Sequence, residues 1–215
     1  MTLTDEIARY VLSTVAALLP IVNPLSTVGM LVGITADLTE HERAVQVKRA
    51  CVYMFFILTT FLIAGGLFMN FFGISIPGLR IAGGLIISYL GFKMLFPDQA
   101  IISSQERDEA ELKYDVSFTP LAMPSLAGPG SIAVIVGISS TAQAGEHIVL
   151  DHFLVAIGIA ITAVISFLVL KAATRLNRLL GATGKNAVSR IMGFLMICIG
   201  VQFCINGVLA IVAGG

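Results

Sequence analysis

A chain of 215 residues with 57% hydrophobic and 12% charged side chains, a mean hydropathy of +0.95 and a formal net charge of zero does not suit a water-soluble globule. The charge balance argues against nucleic acid as a partner. The three cysteines, Cys51, Cys198 and Cys204, sit in or beside apolar runs without metal-ligand spacing, so they read as packing residues, with no disulfide and no metal site expected. The composition predicts an all-α, polytopic protein whose first partner is the lipid bilayer.

Taken in order, the uncharged runs predict six spans. The opening residues do not read as a cleavable leader, because Asp5 and Glu6 precede Arg9 and no small-residue cleavage site follows a short apolar core. Span one covers residues 10–36, span two 51–72, and span three 74–96 with Arg80 near its start and Lys93 near its end. Residues 97–115 hold eight charges in 19 positions and read as an acidic, flexible cytoplasmic linker. Span four lies within 116–145, span five covers 153–170 and span six 191–213. A straight helix crosses the hydrocarbon in about 20 residues. The first and fourth runs, at 27 and 30 residues, are the longest, and they are the two that hold clustered prolines.

Those prolines predict breaks. In the first run, LPIVNPLSTVG carries Pro20 and Pro24; in the fourth, FTPLAMPSLAGPGSIA carries Pro120, Pro124 and Pro129. Proline lacks a backbone donor and clashes with the preceding turn. In lipid, a broken helix persists only where protein, water or a ligand satisfies the freed N–H and C=O groups. Aligning Pro24 with Pro129 brings Ser26 onto Ser131. A second match, Arg80-Ile-Ala-Gly-Gly-Leu-Ile-Ile with Arg190-Ile-Met-Gly-Phe-Leu-Met-Ile, has five identities in eight positions at an offset of 110. The two matches in the same order predict a duplication: residues 1–96 as one three-span repeat, 97–115 as the linker, 116–215 as the second repeat. An odd number of spans per repeat makes the repeats inverted. Basic residues orient them: with both termini periplasmic, Arg43, Lys48, Arg49, Lys93, Arg107, Lys113, Lys171, Arg175, Arg178, Lys185 and Arg190 are cytoplasmic, against Arg9 and Arg80 outside.

Paired interruptions in corresponding spans are the sequence pointer to a transporter site. The candidate substrate residues are Asn23, Pro24, Ser26, Thr27, Gly128, Pro129, Gly130 and Ser131. Side-chain hydroxyls and the amide would bond a zwitterion, with the glycines letting backbone groups approach it. Arg80 and Arg190 read as snorkelling anchors or as gates. Gln202 and Asn206, four apart on span six, either bond a neighbouring helix or line the path. Gly84, Ser88 and Gly91 in span three and Gly193, Gly200 and Gly207 in span six have helix-contact spacing. All 13 acidic residues fall outside the uncharged runs, which disfavours a carboxylate-based proton pump; coupling to Na⁺ or H⁺ is left open. No nucleotide-binding, zinc-protease or serine-hydrolase motif occurs, so neither a cofactor nor an enzyme is expected. The remaining function classes are a transporter of small neutral solutes, an exporter of another small solute or drug, and a non-transporting membrane scaffold.

NPLSTVG at 23–29, FGISIPGLRIAGGLI at 72–86, PLAMPSLAGPGSIA at 120–133 and SRIMGFLMICIGVQFCINGV at 189–208 resemble the MarC family of bacterial inner-membrane proteins. The likeness runs from about residue 10 to 212, weakest in the acidic linker. It implies a six-span inner-membrane protein and, from relatives described as transporters of small neutral amino acids, that class of substrate; the multiple-antibiotic-resistance association of the family name keeps the exporter reading beside it.

Overall fold

The computed structural model describes residues 3–96, 115–143 and 147–213, so the linker expected at 97–115 lies, but for Asp115, outside the described residues. Among those residues the chain is all helical, in eight segments: α1 (Leu3–Val22), α2 (Pro24–Ile34), α3 (Glu40–Phe71), α4 (Ile76–Leu95), α5 (Ser117–Leu126), α6 (Pro129–Gln143), α7 (Ile148–Lys171) and α8 (Ala173–Val212). α3, α4, α7 and the Asn186–Val212 part of α8 are each long and apolar enough to cross a membrane. α1 with α2 and α5 with α6 form bent pairs, at 40° and 59°, which brings the candidate spans to six when each pair is one span.

Helix ends depart from the uncharged runs where caps or glycines set them. α3 starts at Glu40 rather than at 51 because Thr39 and Glu42 form a reciprocal cap. The Glu42 amide donates to Thr39 Oγ1 at 3.3 Å and the Thr39 amide to Glu42 Oε2 at 2.9 Å, so the first charged turns are helical beyond the apolar stretch. α4 starts after Gly73, whose φ of +64° ends the preceding helix, and after Ser75, whose Oγ accepts from the Gly78 amide at 3.2 Å. α7 starts at Ile148, ahead of the span read from 153, which takes Asp151 and His152 into the helix. The basic stretch before span six is helical from Ala173, interrupted only at Gly181 (φ +57°).

The closest packing joins the third long helix of each half. A Cβ added to Gly91 would lie 2.6 Å from the Gly193 carbonyl oxygen, and one added to Gly193 2.7 Å from that of Gly91; Gly84 and Gly200 meet in the same reciprocal way, and Gly207 approaches the Pro77 carbonyl. Rising numbers on α4 meet falling numbers on α8, so the two helices run antiparallel. Without a hydrophobic drive in lipid, such backbone approach supplies van der Waals contact that larger side chains would prevent. The small-residue spacing read from the sequence is this seam.

Around it the packing is reciprocal. α1 lies on α7 as α5 lies on α3; α2 lies on α8 as α6 lies on α4; α3 and α7 pack on each other. Leu18, Leu31, Met54, Leu58, Ile87, Leu121, Leu126 and Ile159 fill the interior. Leu67, Phe71, Val149 and Val212 lie with three quarters or more of their surface exposed, a periphery suited to lipid rather than water. Polar ties gather at the two ends. At one, Tyr10 Oη donates to Asp151 Oδ2 at 3.0 Å. At the other, Arg43 donates to Thr35 Oγ1 at 2.7 Å, the Thr35 carbonyl at 2.7 Å and Thr174 Oγ1 at 2.9 Å, while Arg49 pairs with Asp115 at 3.1 Å.

Candidate functional site

The first break is a single residue held by its own side chain. Pro20 stays inside α1, and the helix ends only at Val22. Asn23 then adopts the left-handed region (φ 41°, ψ 64°), which asparagine tolerates better than most residues. Its Oδ1 accepts from the Ser26 amide at 3.2 Å, capping α2, whose first residue is Pro24, where a missing N–H costs nothing. Its Nδ2 reaches Met94 Sδ at 3.5 Å, tying the break to α4.

The second break is longer and is held by backbone. α5 is interrupted rather than continuous: Thr119 and Met123, the residues before Pro120 and Pro124, have extended backbone, and amides on either side bond five residues back, Leu121 to the Val116 carbonyl at 3.3 Å and Ala127 to the Ala122 carbonyl at 2.8 Å. Both proline peptide bonds in α5 are cis. Gly128 follows, with the Pro124 carbonyl oxygen 2.6 Å from where a Cβ would stand, so only glycine fits there without a shift. Ser131 Oγ donates back to the Leu126 carbonyl at 3.3 Å. Among the groups at the breaks, the Ser26, Leu121 and Ala127 amides and the Leu126 carbonyl find partners within the protein.

The breaks meet in the interior. A Cβ on Gly130 would stand 3.2 Å from Ile21 Cγ2 and 3.1 Å from Ile87 Cγ1, and Thr27 Oγ1 lies 3.1 Å from Ser125 Oγ. Asn23, Pro24, Thr27, Gly130 and Ser131 are buried. Ser26 is exposed and pairs with Ser189 Oγ at 3.3 Å; Pro129 is exposed and Gly128 half-buried. Successive helix positions point about 100° apart, so Ser26 and Thr27 face different neighbours, and the four polar side chains named from the sequence do not share one cavity. Ser125, Ile21 and Ile87 join the meeting point; nothing in their local sequence marks them, because their neighbours come from the other half.

A cavity of about 360 Å³ lies further along the same helices, lined by Tyr10, Ser13, Arg80, Gly137, Ile138, Phe203 and Asn206. Arg80 is half-buried and one guanidinium nitrogen donates to Ser140 Oγ at 3.3 Å. Asn206 Oδ1 accepts from Gln202 Nε2 at 2.9 Å, so this pair bonds along its own helix while Asn206 faces the cavity. Arg190 is exposed at the other end of the molecule. Tyr10 and Ser13 went unnoticed in the sequence because a tyrosine and a serine at a span end carry no signal of their own. Outside the spans, hydrogen bonds from the Ser117 side chain and amide, and then the Arg49 charge, hold the Asp115 carboxyl below its usual range.

Comparison with known proteins covers most of the chain. The sequence pattern described as MarC family integral membrane protein matches residues 8–212. The inner membrane protein MarC of Citrobacter koseri is 46% identical and that of Escherichia coli 45% identical, each over 203 residues that cover 91% of this chain and 92% of the relative. No solved structure matches.

Proposed function

The chain belongs to the MarC family of integral membrane proteins, and from that premise we propose that it is an inner-membrane transporter of small neutral, zwitterionic amino acids that works by alternating access around the paired broken helices. The observation that carries this reading is the meeting of the two interruptions, Ile21 with Gly130 and Thr27 with Ser125, in the protein interior. Discontinuous helices that meet at a repeat interface are where transporters bind substrate: freed amide ends face a carboxylate, and freed carbonyls or hydroxyls face an ammonium group or a coupling ion.

The reciprocal packing supports an inverted duplication as the frame for this motion. Exchanging the halves turns the α1–α7 contact into α5–α3, turns α2–α8 into α6–α4, and leaves the α4–α8 and α3–α7 contacts as themselves. A two-fold axis in the membrane plane produces that exchange, and the antiparallel α4–α8 seam agrees with it. With the basic residues on the cytoplasmic side, both termini are periplasmic and Arg43, Arg49 and Asp115 cytoplasmic. A reporter active only outside the cytoplasm, fused after Gly215, is expected to be active and the same reporter at Ser104 silent; the reverse pattern overturns the orientation.

The deciding experiment is flux in proteoliposomes across the neutral amino acids, with and without Na⁺ and pH gradients. Movement of at least one of them, weakened in a Thr27→Val and Ser131→Ala double variant of normal expression, is expected. Movement of a different solute class alone favours the exporter reading, and none under any gradient favours the scaffold.

A further inference from the structure

We infer that the short helix between α7 and the last span, residues 173–180, is a docking surface for anionic phospholipid headgroups, with Lys171, Arg175 and Arg178 on the phosphates and Leu179 among the upper acyl carbons. This surface depends neither on the transport reading nor on which way the chain is oriented.

One face of the helix carries the chemistry. Arg175, Arg178 and Leu179 are three and four residues apart and lie side by side; all three are exposed, and so is Lys171, one turn earlier at the end of α7. Among the described residues none of these three cations pairs with a carboxylate. Lys171 Nζ stands 5.7 Å from the centre of the Phe167 ring, which keeps the ammonium at the end of the apolar run. Leu179, beside the two arginines, is 83% exposed. Water offers such a leucine nothing, and a soluble anion has no use for it. A phospholipid suits both groups, since phosphate meets the guanidinium groups while the leucine enters the acyl boundary.

Placement agrees with this. α7 is long and apolar enough to cross a membrane and ends at Lys171, and the last span sets off from Asn186, so the short helix lies between two span ends, at the depth of the headgroups. Its opposite face is fixed to the body of the protein: Ala173 is buried, Leu176 packs on the core, and Thr174 Oγ1 accepts from Arg43 at 2.9 Å. Gly181, with φ +57°, interrupts the helix and frees the last span to take its own direction. The turn from α3 into α4 makes the same kind of junction with Phe72, Gly73, Ile74 and Ser75 alone, and carries no charge. Joining two such helices therefore does not require residues 173–180. What they add is a rigidly held basic face and a leucine that the packing leaves outside.

The sequence contains no tryptophan, so Leu179→Trp installs a single fluorophore on this face. The test places that protein in nanodiscs of phosphatidylcholine with a minor fraction of phosphatidylglycerol, with bromine on the acyl chains of one lipid or the other. Emission is expected to be blue-shifted from that of tryptophan in water, and brominated phosphatidylglycerol should quench roughly fivefold better per molecule than brominated phosphatidylcholine. That preference should fall to near parity in an Arg175→Gln and Arg178→Gln double variant and, with every cation in place, in about 1 M salt, where the Debye length is about 3 Å. Lysine at both positions should retain most of it. Inorganic phosphate at matched ionic strength should leave it unchanged. Water-like emission, equal quenching by the two lipids at low salt, or a preference that either high salt or the double variant leaves intact overturns the lipid surface. A preference that inorganic phosphate abolishes overturns it too, by showing that the face reads a free anion. The salt arm needs no arginine substitution, so it decides the matter even where the double variant does not elute as a monodisperse protein.

Discussion

The two breaks interrupt corresponding spans in different ways. At Asn23 one left-handed residue and one side-chain cap carry a 40° bend. At Gly128 a ten-residue segment interrupted by extended backbone at Thr119 and Met123, two internal prolines and a contact that admits no Cβ carry a 59° bend. The first is a hinge made by a side chain, and the second is a shape imposed on the backbone. A side-chain hinge is tuned by substitution; a backbone shape resists tuning until it fails. If the halves exchange roles during transport, the two need not move by equal amounts, and the Asn23 break is the softer of the pair.

That contrast is open to attack at several points. The largest effect is expected at Gly128→Leu, where the new side chain meets the rigid Pro124 carbonyl; destabilisation of about 3 kcal/mol or more should appear as loss of monodisperse purified protein. Wild-type behaviour there would mean that the second break is as adaptable as the first. Asn23→Ala removes the cap and forces a Cβ-bearing residue without local hydrogen bonding into the left-handed region, for about 2 kcal/mol. Asn23→Gly keeps the backbone at ease and should lose only a few tenths by way of the cap, so thermal melting should order the variants wild type, glycine, alanine. Equal melting of the two would remove conformation from the account of this hinge. Thr27→Val severs the link to Ser125 between the halves and is expected to cost about 1 kcal/mol. The smallest effect lies at Asp115, just before α5. Its carboxyl is held below the ordinary range, so the stabilisation is fully present above the unfolded carboxylate pKa and is lost as the pH falls through the lower folded value. A melting temperature followed downward from about pH 4 should fall more in the wild type than in Asp115→Asn.

Much of the fold can be read from composition and length. The apolar runs mark the spans, the two longest runs hold the breaks, and the glycine spacing on α4 and α8 marks the seam, because each is a local property of the chain. Helix ends were less legible: a capping box at Thr39 extends α3 through charged residues, and α7 takes Asp151 inside once Tyr10 from α1 is there to hydrogen-bond it. Pro20, expected to help break span one, is accommodated within α1, and the interruption falls on Asn23 alone. The candidate site was half legible. Proline and glycine announce where the backbone fails, whereas the direction in which Ser26 and Ser131 point depends on helix phase and on the opposite half. The cavity was legible only in part: Arg80 and Asn206 stood among the candidate gate and path residues, but that they meet with Tyr10, Ser13 and Gly137 could not be read, since these residues come from four different helices.

The glycine seam between α4 and α8 carries a consequence for biosynthesis. The ribosome makes Gly91 about 100 residues before Gly193, which at roughly 5 to 20 residues per second leaves α4 in the bilayer for some 5 to 20 s before its partner exists. During that interval the carbonyls of Gly84 and Gly91 are covered by no side chain of their own. Lipid chains or the insertion machinery must shield that groove and then yield it to an incoming helix of opposite direction. The nascent first half is therefore the vulnerable species in the life of this protein, and quality-control proteases that sample the membrane are expected to meet it before they meet the finished fold.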